Sequence, residues 1–248
     1  ASDVYKRQVY KYASIPQLYQ GPQSISLIEI DPVAGLKVGV AVSDKMKETS
    51  KIASEYNAIA AINGSYFDMK RGNSVCFLKA DRQIIDTTMQ SEFKLRVTGA
   101  INVRKGKIKL IPWSKQIEKE YEGETGMVLA SGPLMLKDGQ ICDWNSCGAN
   151  FIRTKHPRSA VATTKEGKIL LITVDGRFPE QAEGVNIPEL AHLIRILGGE
   201  DALNLDGGGS TTLWLSGASD DGVVNYPCDN GRFDHAGERK VPNILYIH

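Results

Sequence analysis

Three consecutive glycines follow an aspartate in the run Asn204-Leu205-Asp206-Gly207-Gly208-Gly209-Ser210, and no other segment restricts the fold as much. Such a run gives up backbone entropy on folding, so it needs a physical reason. Glycines reach positive φ without strain and let main-chain N–H groups approach a ligand closely. Successive N–H groups can then form an anion-binding nest. The run is not a P-loop: the GxxxxGK[ST] pattern is absent, and Thr211 to Leu215 carries strand patterning where a helix would begin. A tight hairpin is the other reading of the same residues.

Two more segments share this design. Ala58 to Ile62 (AIAAI) runs into Asn63-Gly64-Ser65-Tyr66-Phe67-Asp68, and Ile169 to Val174 (ILLITV) runs into Asp175-Gly176-Arg177. In parallel sheets, ligands collect outside the carboxyl ends of strands. Three apolar strands ending in polar, glycine-bearing turns therefore predict one shared cleft. Each turn alone has a plainer reading. Asp-Gly is a common turn pair. Arg158, in His156-Pro157-Arg158-Ser159-Ala160, suits a surface carboxylate as well as a phosphate held bidentately. Glu189 falls in the first turn of a helix, where a negative charge is favoured in any case. Asn63-Gly64-Ser65 is formally a glycosylation sequon, but at a strand end it reads as site structure.

The periodicity predicts an α/β (α+β) fold, a single domain with a mixed β-sheet core and strand-helix-strand units. Residues 1–23 read as an N-terminal arm and 24–248 as the folded domain. Strands are expected at Ser24 to Ile30 and Leu36 to Val42. A helix follows over Lys45 to Tyr56 with Asp44 as its N-cap, and then the AIAAI strand. This unit favours parallel pairing through a right-handed crossover. The middle reads as antiparallel β-structure, with Arg158 to Thr164 and Lys168 to Val174 joined as a hairpin through Glu166-Gly167. A second unit runs from ILLITV through a helix from about Pro188 to Leu197 into Ala202 to Leu205; Gly198-Gly199 suits the helix end.

The formal net charge is +1, so there is no long-range field to gather nucleic acid or an acidic membrane. No apolar run approaches the ~20 residues needed to span a bilayer. The N-terminus lacks a basic region followed by an apolar one, so the chain is either cytoplasmic or an exported chain whose signal was removed before residue 1. Cys142 and Cys147 flank a turn-like Asp143-Trp144-Asn145-Ser146, and these two are expected to pair; an even cysteine count suits an oxidising compartment. The histidines (His156, His192, His235 and His248) are scattered without zinc spacing.

Taken in order, these segments resemble the phosphodiester glycosidase family. The matching pieces are Asn63-Gly64-Ser65-Tyr66-Phe67; Ser131-Gly132-Pro133-Leu134 with Asp138-Gly139; His156-Pro157-Arg158-Ser159-Ala160; Val174-Asp175-Gly176-Arg177; Gly184 with Pro188-Glu189-Leu190-Ala191; the run from Leu203 through the triple glycine to Thr212; and Arg239-Lys240-Val241-Pro242-Asn243. The likeness covers about residue 58 to the end. It implies hydrolysis of a sugar-O-phosphate-sugar linkage, releasing a sugar and exposing a phosphomonoester. It also implies an exported enzyme, secreted, periplasmic or at the cell surface, acting on a carbohydrate such as a bacterial exopolysaccharide.

On that reading Arg158 and Arg177 hold the phosphate. Gly207, Gly208 and Gly209 form a backbone nest, continued by Ser210 and Thr211. Asp206, Glu189 and Asp175 are the candidates for base, nucleophile or sugar contact, and Asn63 holds a sugar hydroxyl or orients a carboxylate. A phosphate leaves as an anion and needs less help from a general acid than an ordinary leaving group. No cofactor is required, with a divalent cation held by the aspartates left open. The expected partner is a carbohydrate or glycosyl phosphate. The competing readings are a non-catalytic glycan-binding module in the same cleft and a metal-dependent phosphodiesterase.

Overall fold

The computed structural model describes residues 8–32, 35–80, 82–123 and 126–248. The chain begins with β1 (Gln8–Leu18), β2 (Gly21–Ile30), β3 (Val38–Glu48), α1 (Thr49–Glu55) and β4 (Ala60–Asn63). It continues with β5 (Leu78–Ala80), β6 (Gln83–Asp86), α2 (Gln90–Leu95), β7 (Gly99–Arg104), β8 (Lys107–Pro112), α3 (Lys115–Lys119), β9 (Met127–Ser131), β10 (Leu134–Lys137), β11 (Gln140–Ile141) and α4 (Ala149–Arg153). The last part holds β12 (Arg158–Thr164), β13 (Ile169–Val174), α5 (Ile187–Ile196), β14 (Gly199–Asn204), β15 (Leu213–Leu215) and β16 (Lys240–Ile247). Sheet dominates helix. Three sheets form, in the orders β1-β2-β13-β12-β14-β10-β11, β15-β4-β16-β3 and β6-β5-β9-β7-β8.

Both expected strand-helix-strand units are present, but neither forms a parallel ladder. β16 lies between β3 and β4, antiparallel to both. β12 likewise lies between β13 and β14, antiparallel to both. The physical reason is local in the second unit: the hairpin from β12 to β13 forms its ladder before α5 returns the chain, so β14 must pair beyond β12. The carboxyl ends of β13 and β14 still point the same way, so the shared-cleft expectation does not depend on the parallel ladder.

Two further expectations change. The helix predicted from Lys45 begins only at Thr49, with Glu48 rather than Asp44 at the N-cap position and no side-chain cap bond. The preceding residues extend β3 instead, because Lys47 and Glu48 pair with Val241 and Lys240 of β16. Residues 8–23 are not a loose arm: β1 pairs with β2 from Gln8 opposite Ile30 to Leu18 opposite Gly21. An edge strand exposed on most of its length needs no apolar alternation, so its polar sequence hid it. Residues 1–7 of the expected arm lie outside the described residues.

Strand parity divides the core. In β13, Leu170, Ile172 and Val174 face a layer that includes α5, packing with Leu190, Ala191 and Ile194. Leu171 faces inward and packs with Ile28, Ile62, Leu129, Leu203 and Leu245 from all three sheets. The helix α5 is fixed at its start by a capping box: the Asn186 side chain accepts from Glu189 N, and the Glu189 side chain accepts from Asn186 N. Each fully buried leucine or isoleucine here contributes about 1.5–3 kcal/mol.

All four cysteines are free thiols, so the expected Cys142–Cys147 bridge is not formed. The two sulfurs serve different clusters, Cys142 packing against the inner core and Cys147 against the α5 layer. Trp144 occupies the turn between them, its indole donating to Leu134 O at 3.0 Å. Alkylation of the unfolded, unreduced protein should therefore add four groups by intact mass. A mass two adducts short would restore the bridge.

Candidate active site

The ends of β4, β12, β13 and β14 meet at one edge of the molecule. Asn63 closes β4 with its amide buried between sheets. Its Oδ1 accepts from Ser159 Oγ at 2.7 Å and Thr212 N at 3.1 Å, and its Nδ2 donates to Asp206 O at 2.7 Å. Asp206 N in turn donates to Gly64 O at 3.0 Å. Both ends of the Asn63 amide are thus occupied, and the residue is fully buried, so the sequon is site structure.

The glycine run curls into a single 3-10 turn over Gly208–Ser210. A methyl group on Gly207 would lie 2.4 Å from Pro157 O, a clash with backbone that cannot yield. Gly208 has φ of +59°, and a methyl there would sit 3.0 Å from Arg177 Nη2. A methyl on Gly209 would lie 2.3 Å from Arg239 Nη2. The absence of side chains therefore lets two guanidinium groups lie directly against the turn. Arg177 is exposed, its nearest hydrogen-bonding contact being Cys228 Sγ at 3.8 Å, and it adopts φ of +67°. A left-handed arginine is uncommon and marks stored strain. Arg239 is held by Asp229, with Nη2 2.6 Å from Oδ1.

Asp206 sits between this turn and a second basic pair. It remains partly open to solvent while closely surrounded by protein, and burial pushes its carboxyl up to about 6. The nearby Ser210 hydroxyl, Arg96, Arg239 and the Gly207 N–H hold it back from rising further. The Ser210 hydroxyl does not meet that carboxylate in hydrogen-bond geometry and has no partner among the described residues. Arg96 lies over the Tyr66 ring with Cζ 3.5 Å from the centroid, and pairs with Glu92 at 2.7 Å. Arg158 lies over Phe151 at 4.9 Å.

Arg158 is more deeply committed than the sequence suggested. It opens β12 on the outer face, opposite in parity to Ser159, so it points toward α4 and α5 rather than into the Asn63 seam. Its Nε donates to Val185 O at 3.1 Å, and Nη2 donates to Thr154 O at 2.7 Å and Phe151 O at 3.1 Å. Burial lowers its pKa to about 10. One nitrogen, Nη1, makes no hydrogen bond among the described residues.

The other two carboxylates are placed differently from Asp206. Asp175 is wholly buried and pushed up to about 6 by desolvation, which its hydrogen bonds offset only in part. It accepts from Ser24 Oγ at 2.6 Å, Asn225 Nδ2 at 3.0 Å and Tyr226 N at 3.1 Å. Asn225 Nδ2 also reaches Thr211 O at 2.9 Å, which ties Asp175 to the glycine turn. Glu189 gives one oxygen to the α5 cap and the other to Lys155 at 3.7 Å. Of the three expected carboxylates, only Asp206 is both open and adjacent to the glycines. Thr211 and Ser210 are buried, with hydroxyls lacking partners among the described residues.

Arg96, Arg239 and Asn225 were not singled out from sequence. Arg239 stood at the head of the Arg239-Lys240-Val241-Pro242-Asn243 segment, a signal that could have found it. Arg96 and Asn225 carry no local signal. A cavity of about 770 Å³ opens at the opposite ends of the same strands, beside Ile30, Lys37, Gly106, Ile169 and Ile247, away from all of these groups.

An α+β protein thus brings a partly open carboxylate, a glycine turn and several arginines together at one sheet edge. The phosphodiester glycosidase family model matches residues 56–248, and the chain belongs to that family. It is 24% identical over 205 residues to N-acetylglucosamine-1-phosphodiester alpha-N-acetylglucosaminidase of Mus musculus, covering 76% of this chain and 37% of the relative. To the Homo sapiens protein of the same name it is 24% identical over 222 residues, covering 82% and 39%. The chain thus spans less than half the length of these relatives. Its fold matches the catalytic domain of the zebrafish protein of that name, auto-inhibited by its pro-peptide, with a TM-score of 0.74 at 21% identity over 97% of this chain and 82% of that one. It also matches a Burkholderia pseudomallei protein titled "Putative exported protein", with a TM-score of 0.64 at 15% identity over 94% and 75%.

The capping geometry makes a specific prediction. Glutamine serves at the third position of a capping box as well as glutamate does. Glu189→Gln should therefore keep turnover within about threefold and lose at most ~1 kcal/mol, because the Lys155 pair it breaks is long, at 3.7 Å. A loss of turnover by orders of magnitude at unchanged melting temperature would return Glu189 to the chemistry.

Proposed function

We propose that the chain hydrolyses a glycosyl phosphodiester at the sugar C–O bond, releasing the sugar and leaving a phosphomonoester. The observation that carries this reading is one partly open carboxylate, Asp206, at the start of a glycine turn against which Arg177 and Arg239 lie. Water attacks the anomeric carbon and gives its proton to Asp206. The C–O bond to phosphate breaks, and the phosphomonoester departs as an anion. Asp206, held near 6, is suited to accept a proton at neutral pH. Arg177, Arg239 and the N–H groups of the turn stabilise the departing charge, so no second carboxylic acid is needed. Arg158 contributes its free Nη1 and its field. Asp175 and Asn63 position the turn, and Glu189 positions α5.

The names of the mammalian relatives favour N-acetylglucosamine as the released sugar. No group of three His, Cys, Asp or Glu side chains that could hold a metal occurs among the described residues, and the arginines supply positive charge. In this reading the arginines carry the charge-stabilising role, so activity should persist in excess EDTA. An extracytoplasmic location fits the name given to the Burkholderia neighbour. No helix among the described residues is long and apolar enough to cross a membrane.

Hydrolysis in oxygen-18 water should place the label in the sugar; label in the phosphate would sink the glycosidase reading. Asp206→Asn should lower kcat by at least ~100-fold, the usual scale of a lost general base. The wild-type rate should rise with pH through about 6, because the base works only when deprotonated.

Arg177→Gly should relieve the left-handed strain, leaving the melting temperature equal or higher. The same change should weaken inhibition by inorganic phosphate by about 1.5–3 kcal/mol, the scale of a charged hydrogen bond. Unchanged phosphate inhibition would remove Arg177 from the anion site.

A further inference from the structure

The cavity of about 770 Å³ lies where the three sheets part, at the end of the molecule away from Asp206. Its lining comes from all three: the end of β2 and the start of β13, the start of β3 and the end of β16, and the turn from β7 into β8. The cavity and the candidate active site occupy opposite ends of the same strands. In β13, Ile169 lines the cavity and Val174 precedes Asp175. Five steps along a strand cover about 17 Å. The two places are therefore separate.

The interior of the cavity is apolar. Ile30, Val38 and Ile247 close its floor and are almost wholly buried. Leu36, Ile108 and Ile169 form half-buried walls packed against the inner core. Side chains recessed in this way cannot reach into a bilayer or onto a flat partner, so whatever covers them must enter. The volume falls within the roughly 300–1,000 Å³ of small-molecule sites, which are mostly apolar with a few placed polar groups.

The mouth is basic. Lys37, Lys105, Lys107 and Lys109 are exposed along it, and none has an ion-pair partner among the described residues. Two acids share the lining. Asp201 is already neutralised, with Lys137 Nζ at 3.1 Å and Asp138 N donating at 2.8 Å. That leaves Asp31 against four lysines, in a protein whose formal net charge is only +1. Gly106 helps to build this rim: a methyl group there would lie 2.6 Å from Lys37 Cγ, so the glycine lets the Lys37 stem rest on the turn. A lysine stem laid down in this way extends the apolar wall and keeps its ammonium in water.

An apolar recess under a cationic mouth complements a molecule with an apolar tail and an anionic head. We propose that this cavity is a second binding site, for a single-chain anionic amphiphile. The acyl chain fills the recess, and the carboxylate or phosphate head meets the lysines. Chain burial supplies the drive for entry, and the head group selects the orientation through charged hydrogen bonds. The site stands independently of the glycosidase reading of the Asp206 cleft.

Isothermal titration of the wild type with decanoate, below its micelle concentration, should show one saturable site. Acetate (the head without the chain) and decyltrimethylammonium (the chain with the opposite charge) should each bind at least about tenfold more weakly. Lys37→Glu with Lys107→Glu should weaken decanoate at least about tenfold at an unchanged melting temperature. If that variant does not fold, NMR of the wild type decides. Amide shifts at Lys37, Ile108 and Ile169 on adding decanoate support the cavity, and shifts confined to the glycine turn or elsewhere overturn it. No saturable binding of decanoate, or equal affinity for decyltrimethylammonium, also overturns it. So does co-sedimentation with phosphatidylglycerol vesicles in the absence of decanoate binding, which would make this end a membrane-facing surface instead.

Discussion

The Asn63 side chain is the joint on which the cleft depends. It belongs to the four-stranded sheet, yet it accepts from Ser159 of the seven-stranded sheet and donates to the Asp206 carbonyl at the start of the glycine turn. Its remaining lone pair takes the Thr212 N–H, where the chain leaves that turn for β15. One buried amide thus fixes the relative position of two sheets and both ends of the functional loop. Each bond contributes only about 1 kcal/mol net, but leaving any of these groups unpaired in the interior costs about 1–3 kcal/mol. The junction is therefore rigid for the same reason that it is polar.

With the turn held from behind, its front can be left without side chains. Two guanidinium groups occupy the space that Cβ atoms at Gly208 and Gly209 would take. Two more arginines, Arg96 and Arg158, lie over the Tyr66 and Phe151 rings beyond Asp206. The protein as a whole is nearly neutral, so this positive region exists only through tertiary arrangement. It also accounts for the character of Asp206: desolvation alone would protonate it further, and the surrounding cations hold it close to neutrality. Arg177 pays for its place over the turn in backbone strain, a cost expected where geometry serves a ligand.

Antiparallel insertion by β12 and β16 explains how the site is both crowded and ordered. Each inserted strand brings its own start to the edge where its parallel neighbours end. β12 thereby delivers Arg158 and Ser159 to opposite faces within one residue, one to the carbonyls of α4 and the other to Asn63. β16 enters beside β4 at Asn243, whose Oδ1 accepts Ser65 N. A simple parallel crossover would have left these positions to loops.

The sequence by itself determined the three apolar strand ends, the glycine turn, Arg177 and the helix near Pro188, because each is written in adjacent residues: strand alternation, glycine permissiveness and a proline in the first turn of an apolar-faced helix. It also carried the motifs of the family. It could not say which of three carboxylates stays open, because the burial of Asp175 under Ser24, Asn225 and Tyr226 is set by contacts between residues 50 to 151 positions apart. Nor could it show that Arg96 and Arg239 stand beside Asp206, that residues 8–18 complete a sheet, or that Cys142 and Cys147 turn toward different cores. These depend on ladder order and strand parity, which exist only once distant segments have paired.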